Sequence, residues 1–168
     1  MIFPEFSNGN IIDDIRRKYD PLVNHVRPHI TLVFPFDSSI QQSDLKEHIV
    51  KVLSEVKTFE VSLKGITPSR FFGNYLFLNI EDGKEKIINI HNRLYTDLLK
   101  PFLPAWLVNG RFNPHMTVGK IESEEEYRVA IEEVSCINDV FRTRVDKISV
   151  EIIDKNEDSI IEIEVSLQ

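Results

Sequence analysis

The chain has 168 residues, 42% hydrophobic and 28% charged, a balance that fits one soluble globular core and excludes a disordered or membrane chain. Its formal net charge of -7 excludes a protein that tracks long nucleic acid through a basic field, but not one that binds a single nucleotide or strand end. Cys136 is the only cysteine and cannot form an internal disulfide, and Met1-Ile2-Phe3-Pro4-Glu5 carries neither a basic leader nor a long apolar run, so a cytoplasmic location without membrane insertion is expected.

In chain order, Met1-Ile2-Phe3-Pro4 reads as an edge strand, because Pro4 has no N–H for a ladder. Asn10 can cap a helix whose stripe is Ile11, Ile12, Ile15 and Tyr19, stopped by Pro21, with Arg16-Arg17-Lys18 as a solvated face. His29 to Phe36 alternates as a strand. Ser43 can cap a helix that buries Leu45, Ile49, Val52, Leu53 and Val56, and a strand near Phe59 to Ile66 follows.

The plan then repeats. Tyr75 to Ile80 reads as a strand, and Asp82 with Glu85 as the start of a helix with Ile87, Ile88, Leu94, Tyr95 and Leu98 inward. A strand at His115 to Gly119 precedes a helix opened by the capping box Ser123-x-x-Glu126, with Tyr127, Ala130, Ile131 and Val134 inward. Val145 to Ile153 and Ser159 to Leu167 read as strands around the turn-like 154–158. Ile11-Ile12 with Tyr19 aligns with Ile87-Ile88 and Tyr95 at one constant offset, which implies an internal duplication. The second half carries a longer loop, Pro101 to Gly110. One domain over 1–168 is expected, with lobes of approximately 1–70 and 71–168.

The chemistry sits in two matching stretches, Arg27-Pro28-His29-Ile30-Thr31 and Asn113-Pro114-His115-Met116-Thr117, at equivalent places in the repeat. On a strand, residues i and i+2 share a face, so each stretch offers an imidazole and a hydroxyl together. One imidazole can act as base while the other, protonated, acts as acid, and the hydroxyls can donate to a phosphate. A lone histidine is usually a structural hydrogen-bonder, which is the reading for His25, His48 and His91, but two coincident motifs are poorly explained that way. Metal binding has no support in spacing, since no His-Glu-x-x-His or His-x-x-x-His helix occurs and Pro28 separates His25 from such an arrangement. The run Glu122 to Glu126 reads as a solvated helix start.

The paired His29-Ile30-Thr31 and His115-Met116-Thr117 resemble the two signatures of the 2H phosphoesterase superfamily, which includes the bacterial RNA 2′-5′ ligase and cyclic phosphodiesterase group. The resemblance covers the whole chain. It implies an α+β fold, duplicated and two-lobed, with two antiparallel sheets flanking a central cleft and helices on the outside. It also implies a cofactor-free, metal-independent hydrolase that cleaves, or reversibly ligates, a phosphodiester involving a ribose 2′-oxygen, such as a 2′,3′-cyclic phosphate or a 2′-5′-linked RNA end, in RNA processing. By the resemblance His29 and His115 are the catalytic pair, His115 as base and His29 as acid, and Thr31 and Thr117 bind the phosphate. Lys120 stands where many relatives have an arginine, whereas Val33-Phe34-Pro35 offers nothing basic after the first motif, so no long nucleic-acid groove is expected.

Arg70 and Phe72, between the halves, and Arg111 beside Phe112 are further candidates for contacting a nucleotide or short RNA end, with packing under the inter-lobe turn as the equal alternative for Phe71 and Phe72. Trp106 reads as a packing residue. The competing reading is a non-catalytic module that keeps the cleft to bind a nucleotide or RNA end.

Overall fold

The computed structural model describes residues 1–108 and 112–168. In order, the elements are α1 (Asn10–Tyr19), α2 (Gln42–Leu53), β1 (Phe59–Ser69), β2 (Asn74–Asp82), α3 (Lys84–Leu94), a 3-10 turn (Asp97–Phe102), α4 (Ala105–Val108), β3 (His115–Ile121), α5 (Glu124–Val134), β4 (Val140–Val145), β5 (Lys147–Ile153) and β6 (Ser159–Ser166). The strands form a four-stranded antiparallel sheet in the order β3-β2-β1-β4 and a two-stranded sheet β5-β6. Helix α1 lies on β3, α5 lies along β1, β2 and β3, and α2 packs on α3 and β6.

The first repeat has the same pairing logic as the second. Ile2 bridges Ile30 as Leu78 pairs with Met116. The closing strand of each repeat is bonded to the opening strand of the other. β1 pairs with β2, and β5 holds Met1, whose amine donates to Ser149 O at 2.8 Å and whose carbonyl accepts from Ser149 N–H at 3.0 Å. A second antiparallel bridge, Ile30 to Met116, joins the two sets, so hydrogen bonds run from β6 through β5, residues 1–2 and Ile30 into β3.

Several local expectations change. The strand foreseen over 29–36 shrinks to the bridge at Ile30, and two of its backbone groups go instead to α3 and the residue that ends it: His91 Nδ1 donates to Leu32 O at 2.7 Å, and Phe34 N–H donates to Tyr95 Oη at 3.0 Å. A ladder cannot use them. Asn10 and Ser43 lie inside their helices and cap neither; Gly9 and Gln41 hold those cap positions without a side-chain bond. Asp82 does not cap α3 either, since it ends β2 and accepts from Ser62 Oγ at 2.8 Å, and Gly83 makes the turn instead. Ser123 does cap α5, accepting from Glu126 N–H at 3.3 Å. β4 was not foreseen as a separate strand; Val140–Val145 pairs with β1, and Asp146 separates it from β5. The second-half loop is partly helical, as the 3-10 turn and α4 show.

The core is continuous, with Ile30, Leu32, Leu63, Leu76, Met116 and Phe141 completely buried. Gly83 is needed where it stands. Its φ is +84°, and an added Cβ would lie 2.7 Å from Val61 Cγ1 and 2.8 Å from Glu60 O. Gly83→Ala should therefore lower stability by about 1–3 kcal/mol, a loss that urea unfolding followed by circular dichroism would register.

Candidate functional site

Ile30 and Met116 are the central residues of the two His-x-Thr stretches, and both have 0% exposure. Their bridge is antiparallel, which sets His29 across from Thr117 and Thr31 across from His115. With the apolar residues turned into the core, all four motif side chains fall on the opposite face, each half-buried.

Each imidazole is fixed in the same way. His29 Nδ1 meets Arg27 O at 2.9 Å and His115 Nδ1 meets Asn113 O at 2.8 Å, in both cases the carbonyl two residues back. The intervening proline has a fixed φ and holds that carbonyl toward the ring. A carbonyl can only accept, so Nδ1 carries the proton, and Nε2 is left without a partner among the described residues. Phe77 lies against the His115 ring, centroids 3.7 Å apart, and Phe3 meets the His29 ring edge-on at 5.9 Å.

Burial pushes both imidazoles below their ordinary value of 6.5, and the carbonyl bonds oppose this. The two environments then differ. The Glu151 carboxylate favours the protonated form of His29, which the Met1 amine and Arg16 disfavour, while a charge on His29 further disfavours protonation of His115.

Arg16 is a correction: it is 2% exposed and not part of a solvated helix face. Its Nε donates to Asp20 Oδ2 at 2.7 Å and its Nη2 to Val26 O at 2.8 Å and Leu22 O at 3.3 Å, while Asp20 Oδ1 accepts from Leu22 N–H at 3.0 Å. Together they shape the turn that delivers Arg27-Pro28-His29. The sequence held a signal for this, because Arg16 sits four residues after the buried Ile12 on α1.

Lys120 is exposed on β3, paired with Tyr75 of β2. Arg70 is bound by both carboxylate oxygens of Glu124, at 2.7 and 2.8 Å, and lies over the Tyr127 ring. Phe71 and Phe72 do not pack beneath the turn; they are 66% and 68% exposed, and Phe72 meets Trp106 at 5.6 Å. Trp106 itself packs on Phe34 at 4.9 Å. Arg111 lies outside the described residues. His48 and His91 are buried and bonded to the carbonyls of Leu94 and Leu32, and His25 meets Asp158.

A cavity of about 530 Å³ opens among Phe34, Phe36, Ile49, Leu99 and Ile148, but neither catalytic candidate lines it, and Asp37, Glu151 and Glu162 do. An apolar cavity rimmed by carboxylates is a poor place for a phosphate. Among the described residues no group of three His, Cys, Asp or Glu side chains could hold a metal ion, and no helix is long and apolar enough to cross a membrane.

Residues 3–157 match the family model described as the 2′-5′ RNA ligase superfamily. A Geobacillus sp. (strain WCH70) protein provisionally named a phosphoesterase is 29% identical over 150 residues, 87% of this chain and 82% of that protein. A Bacillus licheniformis protein with a similar provisional name is 25% identical over 128 residues, 76% of this chain and 72% of its own. The fold is similar to the crystal structure of E. coli LigT complexed with ATP, with a TM-score of 0.53 at 12% identity over 98% of this chain and 94% of that one. A solved phosphoesterase gives a TM-score of 0.56 at 12% identity over 92% of each chain. At such identity these two similarities speak to the fold.

The lowered imidazoles carry a stability consequence. As pH falls through 6.5 the unfolded chain binds protons first, so ΔG of unfolding should fall with pH from 6.5 down to the folded values and be insensitive to these groups above it. A His29→Gln, His115→Gln double variant should lack this fall, so that its stability relative to the parent by urea unfolding is greater at pH 5.5 than at pH 7.5, about one unit to either side of the free imidazole value.

Proposed function

Because this chain belongs to the 2′-5′ RNA ligase superfamily, we propose that it is a metal-independent phosphoesterase acting on a phosphodiester that involves a ribose 2′-oxygen, in a nucleotide or at an RNA end. The observation that carries this reading is the Ile30–Met116 bridge, which brings two identically fixed imidazoles together on one face, each across from the other motif's threonine. The reaction centre is a cleft between the two repeats, with the helices behind the sheets.

In hydrolysis of a 2′,3′-cyclic phosphate, His115 Nε2 takes a proton from water as its oxygen attacks phosphorus. The bond from phosphorus to the 2′-oxygen breaks, and His29 Nε2 gives its proton to that oxygen. A 3′-phosphate and a free 2′-hydroxyl result, and the imidazoles exchange protons with solvent to return. Ligation to a 2′-5′ linkage uses a 5′-hydroxyl in place of water: its oxygen attacks phosphorus as the base takes its proton, the bond from phosphorus to the 3′-oxygen breaks, and the acid protonates that oxygen. Glu151 supports His29 as the acid, since it favours the protonated ring, and repulsion from a protonated His29 supports His115 as the neutral base. Thr31 and Thr117 donate to the phosphate oxygens as charge grows on them. Lys120 is the proposed phosphate contact and Phe72 a proposed base contact; Arg70 can join them only when Glu124 releases it. A binding-only module would need neither matched tautomer.

Alanine at His29 or His115 should each lower the rate on a 2′,3′-cyclic nucleotide by roughly 10² or more, the double variant should be little worse, and Thr31→Ala or Thr117→Ala should be milder. A His29→Ala protein with full activity would refute the paired mechanism. Activity should persist in EDTA; loss with rescue by one divalent ion would reject metal independence. The kcat/KM profile, which reports the free enzyme, should be bell-shaped with its optimum on the acid side of 6.5, because both rings are held below that value.

A further inference from the structure

The cavity of about 530 Å³ is lined by neither histidine, and the pairing of the strands accounts for its being open. β5 is bonded to β6 along one edge and, through Ser149, to Met1 along the other. From Val150 to Ile153 that second edge has no strand against it among the described residues. The wall formed by residues 33–38 offers no ladder either, since Phe34 N–H is bonded to Tyr95 Oη and Pro35 has no N–H. Helix α2 closes another side through Leu45 and Ile49, and Gln42 Nε2 donates to Glu162 O of β6 at 3.2 Å, which ties that helix to the sheet at the rim.

Interior and rim differ in character. Ile49, Leu94, Leu99 and Ile148 form the floor, each no more than 3% exposed. Asp37 and Glu162 are exposed and Glu151 is half-buried. None of these three carboxylates is in an ion pair among the described residues, and no lysine or arginine described lines the cavity. Burial pushes the Met1 amine on its wall down to about 5, against the pull of Glu151, so this group supplies no counter-charge near neutrality. The carboxylates do not converge as a group that could hold a metal ion. Their shared sign nevertheless makes the mouth attractive to a cation and repellent to an anion. The volume falls within the roughly 300–1,000 Å³ of small-molecule sites, which are likewise apolar inside with a few polar groups that fix orientation.

We propose that this cavity is a binding site for an organic cation with an apolar body, an ammonium or guanidinium group on a hydrocarbon chain or ring. The body lies on Ile49, Leu94, Leu99 and Ile148, and the charge meets Asp37, Glu151 and Glu162 at the mouth. Neither catalytic candidate takes part, so the site stands or falls separately from the phosphoesterase reading.

Calorimetric titration of the whole chain at pH 7 with n-octylammonium, 1-octanol and octanoate tests this, because the three probes share one apolar chain and differ in charge. n-Octylammonium should bind, octanoate should be weaker by roughly 10-fold or more, and 1-octanol should fall between them. Shortening the cation to n-hexylammonium should weaken binding roughly 4-fold for each methylene removed from the apolar floor. An Asp37→Lys, Glu162→Lys double variant changes two exposed positions and should reverse the order, so that octanoate binds more tightly than n-octylammonium. The same reversal at the exposed Glu125 and Glu132 of α5 should leave the order as it is in the parent. No binding of n-octylammonium, equal affinity for all three probes, or tighter binding of octanoate by the parent would overturn the proposal. So would an order of affinities that Asp37→Lys, Glu162→Lys leaves unchanged, since the cation would then be held elsewhere on the protein.

Discussion

Two apolar side chains hold the candidate site together. Ile30 and Met116 are wholly buried at the one place where the repeats' histidine-bearing segments meet, and the antiparallel bridge between them decides what faces what on the other side. A strand has a period of two, so a shift of one residue in either segment would turn an imidazole into the core and an isoleucine or methionine outward. Burial of those two side chains, each worth roughly 1.5–3 kcal/mol by transfer, thus acts as a registration force on polar groups it never touches. Histidine and threonine supply none of that force themselves.

The supports around this contact are unequal on its two sides. The second motif lies in a full strand, with neighbours on β2 and a ring from Phe77 against His115. The first has lost its ladder after Ile30 and depends on side chains: Arg16 with Asp20 before it, His91 and Tyr95 after it. Buried polar networks of this sort impose one geometry when every member is satisfied, and no buried side-chain nitrogen or oxygen among the described residues lacks a partner. The same imbalance gives the two histidines different electrostatic surroundings, Glu151 acting on one and the other imidazole on the second.

Much of the architecture could be read from local pattern. The helices α1 and α3 were visible in the spacing of Ile11, Ile12 and Tyr19 and of Ile87, Ile88 and Tyr95, and the start of α5 in Ser123 and Glu126, because period and capping are short-range properties. The two His-x-Thr stretches were legible for the same reason, although nothing local said that they would pair with one another. What escaped was set by distant partners. The alternation over 29–36 is as regular as any strand in the chain, yet α3 side chains claim its backbone, and Arg16 looked like one more cation in a charged run until Asp20 and two carbonyls enclosed it. β4 was hidden by its contiguity with β5.

The exchange of strands between repeats bears on how the chain acquires its shape. Met1 is bonded to Ser149, a separation of 148 residues, and Thr58 N–H, just before β1, donates to Gln168 O at 2.7 Å. A half-synthesised chain leaving the ribosome can bridge Ile2 to Ile30 but has no β5 for Met1 to bond. Contacts so far apart in sequence incur their loop-closure entropy before they contribute anything, which places this protein among slow, late-closing folders. The Ile30–Met116 bridge can close only once the chain through Met116 has been made, and the Met1–Ser149 bonds only once it has been made through Ser149.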